Sequence, residues 1–346
     1  MGAGCLLTLL LLASAGCSRS KEVLISGATM GTDYHITVVT GPFYRPAVLA
    51  ERIAARLAQI NRSMSTYMAQ SEISRFNALA KASAKMRISD DFWNVLQVAH
   101  RVYGLTGGAW DGTVYPLVRL WGFGSSKPIA HIPRPEQIQR VLRHIGFRHI
   151  RLLANNRIEK SDPALKLDLA SIAKGYGVDQ IALLLRQERF QNFLVEIGGE
   201  VFAAGLRRDG QTWKVGINRP QASAAFNAVY QAISLHDMAL ATSGDYRNFF
   251  ELAGKRYSHV IDPHSGRPVT NHVVSVSVVA PDCTLADGLA TGIMVMGTQS
   301  GLRLVNRLDG VECLIVEKDP HGQLTRHASR GFEQLESGIP GPQKTK

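Results

Sequence analysis

The sequence predicts an α+β fold, a mixed and largely antiparallel sheet flanked by helices. Helical periodicity dominates residues 45–185, whereas short alternating segments crowd the second half. Strands outnumber the helices able to cross between them, which disfavours a doubly wound parallel sheet. Neither a GxGxxG fingerprint nor a GxxxxGK[ST] loop opens a strand–helix unit.

The 346 residues are 45% hydrophobic and 19% charged, an ordinary globular balance, and carry a formal net charge of +11. That excess favours anionic partners. No basic run interleaved with aromatics, zinc-ligand spacing or recognition-helix pattern accompanies it, so a nucleic-acid partner is not expected.

Residues 5–16 form one short apolar run ending in small residues, the dimensions of a secretory leader rather than a membrane span. The run meets Ala15-Gly16-Cys17-Ser18, which resembles the bacterial lipoprotein processing site with Cys17 as the lipidated residue. Ser14 stands where Leu is usual, and no Lys or Arg precedes the run. The expected organisation is a signal peptide over 1–16, a linker over 17–22, one domain over 23–337 and a flexible tail over 338–346. Beyond the leader only Cys283 and Cys313 remain, read as buried free thiols.

In chain order, Val23–Val39 reads as a hairpin with Gly27 and Gly31 marking a tight turn. Residues 46–60 have the period of an amphipathic helix. Ser71 starts the next helix, with Glu72 in its first turn, and Asp90-Asp91 opens another through Tyr103. The loop Gly107-Gly108-Ala109-Trp110-Asp111 suits either a ring-binding loop or a structural turn. Residues 125–134 read as loop, and Pro135–Ile145 as a short helix capped by Gly146. Leu165–Leu169 alternates like a strand delivering a helix start near Asp168 and Lys174. Phe193–Ile197 and Val201–Gly205 read as strands about Gly198-Gly199-Glu200, and Trp213–Ile217, Ala228–Leu235 and Val273–Val279 as further strands.

The densest chemistry lies between Ala241 and Thr291, with hydroxyls at Thr242–Tyr246, His259, and Asp287 four residues before Thr291. Asp287 and Thr291 share one helix face and could seat a hard cation, or Thr284 and Asp287 could form an arrangement close to a capping box. His259 suits a base near a strand end, or an ordinary structural histidine.

Nine segments together resemble the FAD:protein FMN transferases, the ApbE family. They are Gly27–Thr32, Ser65–Tyr67 with Ser71–Asn77, Gly108–Asp111, Trp121–Gly124, Asp168–Gly175, Gly198–Glu200, Thr242–Tyr246, Tyr257–Pro263 and Ala286–Thr291. The resemblance implies a T-fold-like architecture and Mg²⁺-dependent transfer of FMN from FAD to a Thr hydroxyl of a partner protein, releasing AMP. It implies acceptors among flavoprotein subunits of membrane redox complexes, and a periplasmic enzyme on a bacterial membrane, anchored by lipid at Cys17. Met30, Tyr67, Ala109, Trp110, Asp111, Asp168, Lys174 and His259 fall where the family binds FAD. The carbonyl of Ser171, with Asp287 and Thr291, falls where it binds metal, and His259 is expected to act as the base. Trp110 stands where Phe is usual, which bears on ring stacking. An FAD pyrophosphatase and a non-catalytic FAD-binding lipoprotein are the alternative readings.

Overall fold

A computed structural model describes residues 20–123, 131–221, 228–245, 249–252 and 255–337. The proposed leader, Cys17, Gly124, Tyr246 and the tail lie outside the described residues. Among those described, no helix is long and apolar enough to cross a membrane.

The chain opens on the hairpin β1 (Lys21–Thr29) and β2 (Thr32–Thr40). Lys21 already pairs with Thr40, and its ammonium donates to the Tyr44 carbonyl at 3.0 Å, so the expected linker ends before residue 21. The turn is Met30-Gly31, both at positive φ (50° and 74°). Gly27 is not part of it. It lies within β1, where a Cβ would fall 2.6 Å from the Tyr34 hydroxyl oxygen.

Helices α1 (Ala47–Met64) and α2 (Glu72–Ala78) follow, then β3 (Ala84–Arg87) and α3 (Asp90–Leu105). Ser71 caps α2 as expected, its Oγ accepting from the Ser74 amide at 3.1 Å. Glu72 lies in the first turn, also as expected, and reaches across to the start of α3, where its carboxylate accepts from the Ser89 amide and hydroxyl at 2.7 and 2.5 Å. Next come α4 (Tyr115–Leu120), α5 (Pro135–Leu142), β4 (Ile150–Leu153), β5 (Arg157–Lys160) and α6 (Ala170–Gln187). The α5 helix stops three residues before the expected end, and Gly146 at φ 134° begins a 3-10 turn instead.

Leu165–Leu169 is not a strand. Leu165, Leu167 and Leu169 are buried, which explains the alternation, but the segment joins no ladder. At its centre Leu167 pairs with the Asn77 carboxamide, which donates to the Leu167 carbonyl at 2.8 Å and accepts from its amide at 2.7 Å.

The remaining strands are β6 (Phe193–Ile197), β7 (Glu200–Ala204), β8 (Trp213–Asn218), β9 (Val229–Leu235), β10 (Met238–Gly244), β11 (Phe249–Leu252), β12 (Lys255–Ser258), β13 (Ile261–Asp262), β14 (Arg267–Pro268) and β15 (Val273–Ala280). After them come α7 (Cys283–Met296), α8 (Thr298–Val305), β16 (Glu312–Lys318), β17 (Leu324–Ala328) and α9 (Phe332–Ser337). One eight-stranded sheet runs β1-β2-β6-β7-β10-β15-β16-β17. Every pairing described is antiparallel, so the sheet is an antiparallel one flanked by helices.

Strand alternation divides the apolar residues between two cores. On one face Ile36, Val195, Ala241 and Val278 pack against α1, α3, α6 and α7. On the other, Val201, Leu240, Val279 and Leu314 pack against the β8–β9 ribbon and Phe332. Cys283 and Cys313 are buried free thiols, as expected. Helix α7 is apolar and buried nearly all round, sandwiched between α6 and the sheet. Asp287 is its one charged residue.

Candidate active site

The site begins where α6 and α7 touch. Asp287 is 3% exposed, and its Oδ2 accepts from the Gly175 amide at 3.0 Å. That approach needs glycine, since a Cβ at 175 would sit 2.3 Å from the Cys283 carbonyl oxygen and 2.9 Å from Asp287 Cβ. Asp287 therefore belongs to no capping box. The N-cap of α7 is Asp282, which accepts from the Leu285 amide at 2.8 Å. Thr284 instead donates its hydroxyl and amide to Asp179 of α6 at 2.5 and 2.8 Å. Four residues before Gly175, Ser171 has non-helical angles (φ −88°, ψ 15°), so α6 is kinked there.

Lys174 extends toward the β6–β7 turn. Its ammonium lies 2.5 Å from Glu200 Oε1, and Glu200 is 3% exposed. The turn is Gly198-Gly199 at φ 60° and 100°. A Cβ on Gly198 would strike Thr32 at 2.7 Å and press on Lys174 Cδ at 3.2 Å. The β1–β2 turn lies at the same end of the sheet, because Tyr34 pairs with Ile197. Met30 there packs over α6, its Cε 3.1 Å from where a Gly177 Cβ would stand.

Burial raises the Glu200 and Asp287 carboxyls above their ordinary range, with Lys174 opposing in each case. Burial works against the Lys174 charge, but Asp287 and Glu200 more than offset it and hold its pKa high. One ammonium thus serves two buried carboxyls, and Glu200 Oε2 has no hydrogen-bond partner among the described residues.

Strand parity splits the hydroxyls of β10. Ser243 faces α7 and meets the Thr291 hydroxyl at 2.9 Å, whereas Thr242 points to the opposite face and meets Ser277 at 2.8 Å. Asp245, again on the α7 side, is buried, which raises its pKa, and feels the charges of Arg256 and His259. Arg256 donates to the Asp245 carbonyl at 2.9 Å. His259 leans edge-on to Phe123, with ring centroids 6.3 Å apart, at the end of the aromatic run Trp121–Tyr257–Phe250–Phe123. Tyr257 and Phe250 stack 5.0 Å apart.

Of the residues at 109–111, Trp110 is 1% exposed, packs against Phe147 and donates its Nε1–H to Ser171 Oγ at 3.0 Å. Its ring is committed to the core and has no face for stacking a ligand. Asp111 is equally committed, accepting from the Thr113 amide and hydroxyl at 2.8 and 2.6 Å and from the Phe147 amide at 3.2 Å. Ala109 is buried beside them. Asp168 donates its amide to the Gly112 carbonyl at 2.7 Å, and burial raises its carboxyl. Tyr67, in contrast, is 98% exposed on the loop after α1. The structure thus joins Ser171, Lys174, Asp287, Thr291 and Met30 at the α6–α7 end of the sheet, ties Trp110 to them through Ser171, and leaves Tyr67 in solvent. Glu200, Asn77 and Ser243 are the additions. All three stood inside recognised segments, but no local pattern marks their roles.

Among the described residues no group of three or more His, Cys, Asp or Glu side chains is placed to hold a metal ion. A cation at Asp287 would therefore rest on one carboxylate, a hydroxyl and a carbonyl, a donor set of oxygens suited to Mg²⁺. The orphaned Glu200 oxygen and the two carboxyls sharing one ammonium fit a centre that takes up further positive charge.

A family model, the ApbE family, matches residues 30–315. The chain is 42% identical over 325 residues to the FAD:protein FMN transferase of Vibrio cholerae, spanning 93% of this chain and 96% of that one. It is 40% identical over 330 residues to that of Haemophilus influenzae, spanning 94% of each. The solved structure of the flavin transferase ApbE from Vibrio cholerae superposes with a TM-score of 0.82 at 39% identity, covering 91% of this chain and 99% of that one. The apo form of Pseudomonas stutzeri flavinyl transferase ApbE gives 0.82 at 34% identity, covering 93% and 98%.

Proposed function

The chain belongs to the ApbE family, and from that membership we propose that it is an FAD:protein FMN transferase that moves FMN from FAD to a threonine hydroxyl of an acceptor protein. The observation that carries the chemistry is Asp287, a lone carboxylate buried in an apolar helix and turned onto the start of α6. Burying a charge without a partner is costly, and here it lies beside an ammonium and a kinked segment with hydroxyl and carbonyl oxygens.

Ser171, through its carbonyl, with Asp287 and Thr291, would hold Mg²⁺. Bound there, the ion supplies charge neutralisation on the pyrophosphate. Lys174 adds a second positive charge at the same end of the sheet. FAD is bound by Met30, Tyr67, Asp168, Lys174 and His259, with the main chain of Ala109–Asp111 contributing in place of their committed side chains. Tyr67, exposed as it stands, folds onto the flavin. In the transfer, the threonine Oγ forms a bond to the FMN-side phosphorus, the bond to the bridging oxygen breaks, and AMP leaves with that oxygen. His259 accepts the threonine proton.

Residues 23–337 act as one domain in this scheme, held to a bacterial membrane through lipid on Cys17. The acceptors would be flavoprotein subunits of membrane redox complexes on the periplasmic side. The test is incubation with FAD, Mg²⁺ and an acceptor domain bearing the target threonine. An FMN mass adduct on that threonine is expected. Free FMN would mark a hydrolase instead, and unchanged FAD a binding protein.

A further inference from the structure

We infer that Glu200 is a positioning residue that reserves Asp287 for a cation by holding Lys174 away from it. The inference rests on the reading of Asp287 as the metal-holding carboxylate, and it concerns what keeps that carboxylate free.

Lys174 stands on α6 one residue before Gly175, whose amide holds Asp287. An ammonium so close to a buried carboxylate would ordinarily close on it as an ion pair, because Asp287 has no water to turn to while Lys174 is only half-buried. Among the described residues, however, the ion pair of Lys174 is with Glu200, at 2.5 Å. Asp287 feels the ammonium's charge without being its hydrogen-bond partner. The competition is settled by the β6–β7 turn. Gly198 and Gly199 take up positive φ, Gly198 lets Thr32 and the Lys174 stem pass within contact distance, and Glu200 emerges next, buried and aimed at Nζ. Glu200 commits only Oε1.

Without Glu200, Lys174 would swing to Asp287 and compete with the cation for the same oxygens. This predicts an unusual pattern of coupling. Mn²⁺ binding is measured by electron paramagnetic resonance on the full chain, without FAD or acceptor. Glu200→Gln should weaken Mn²⁺ about tenfold, the scale of one charge-assisted hydrogen bond exchanged for another. Glu200→Asp, which keeps the charge but falls short of Nζ, should weaken it as well and guards against a folding artefact in the first variant. Lys174→Met should leave Mn²⁺ binding equal or tighter, and adding Glu200→Gln to Lys174→Met should cost nothing further. A double variant as weak as Glu200→Gln alone, or a Glu200→Gln protein that binds Mn²⁺ like the parent, overturns the inference. Neither result touches the transferase reading, which is judged by the FMN adduct. A parent chain that binds no Mn²⁺ would remove this inference and the metal assignment together.

Discussion

Replacing Gly175 by Ala isolates the contact on which the site depends. In a helix interior, Ala is more stable than Gly by about 1 kcal/mol, so the substitution should help wherever the added methyl meets nothing. At 175 it meets the Cys283 carbonyl oxygen at 2.3 Å, the carbonyl carbon at 2.7 Å and Asp287 Cβ at 2.9 Å. Backbone of α7 cannot rotate aside like a side-chain tip, and α7 is buried against the sheet behind it. Overpacking of this kind costs about 1–3 kcal/mol. With a backbone carbonyl as the obstacle the upper end applies, and after the helix gain the net loss is about 2 kcal/mol. Gly104 in α3 is the control, because a Cβ there meets nothing within 4 Å. Urea unfolding followed by circular dichroism should show Gly104→Ala neutral or stabilised by up to about 1 kcal/mol, and Gly175→Ala destabilised. Mn²⁺ affinity should fall only in the second, as α7 and Asp287 are pushed from Ser171. A Gly175→Ala protein as stable as Gly104→Ala would refute the claim that this glycine sets the α6–α7 distance.

Other expectations follow from the same contacts. His259→Ala should abolish FMN transfer while FAD binding, followed by flavin fluorescence, is retained; transfer at the parent rate removes His259 from the mechanism. Asp287→Ala should eliminate Mg²⁺-dependent turnover, and full activity would leave the residue a structural role only. Asn77→Ala strands both backbone groups of Leu167 and should cost about 1–3 kcal/mol while raising the KM for FAD through Asp168, with unfolding and steady-state rates as the readouts. Lys160 is fully buried, donates to the carbonyls of Asn77, Pro163 and Leu165, and is lowered by burial from 10.5 to about 8. Between those values the unfolded chain holds the extra proton, so stability should rise with pH from about 8 to 10.5, and that rise should vanish in Lys160→Met.

The elements were legible where local pattern decides them. Alternation marked β6, β7, β8, β9 and β15 but not β10, β16 or β17 of the eight-stranded sheet, Ser71 marked its helix, and the Gly198-Gly199 turn was visible between two apolar runs. Leu165–Leu169 shows where pattern misleads. Alternating burial looks the same whether the partner is a strand or the Asn77 carboxamide, and sequence separation of ninety residues hides which it is. Asp287 shows the reverse problem. A threonine three residues ahead of a carboxylate in a helix start reads as close to a capping box, yet Asp179 from another helix takes the Thr284 hydroxyl. Parity would have separated Ser243 from Thr242, but only once the face that α7 covers was known.

Antiparallel register explains why such distant segments meet. Because β7 begins at Glu200 and β10 runs against it, the end of β10 passes beyond the Gly198-Gly199 turn, carrying Ser243 and Asp245 to the end of the sheet where Lys174 arrives. The β2–β6 pairing brings Met30-Gly31 to that same end. Hydrophobic burial then draws α7 under the sheet and takes Asp287 with it, a charge its fourteen-residue helix would shed if packing alone were selected. A fold that buries two carboxyls around one ammonium is less stable than an apolar replacement of the same shape would be. That cost is concentrated at one sheet end, on residues that hold one another by hydrogen bonds across four elements. The arrangement is intelligible if a cation completes it, and the coupling of Glu200, Lys174 and Asp287 is where that completion can be measured without turnover.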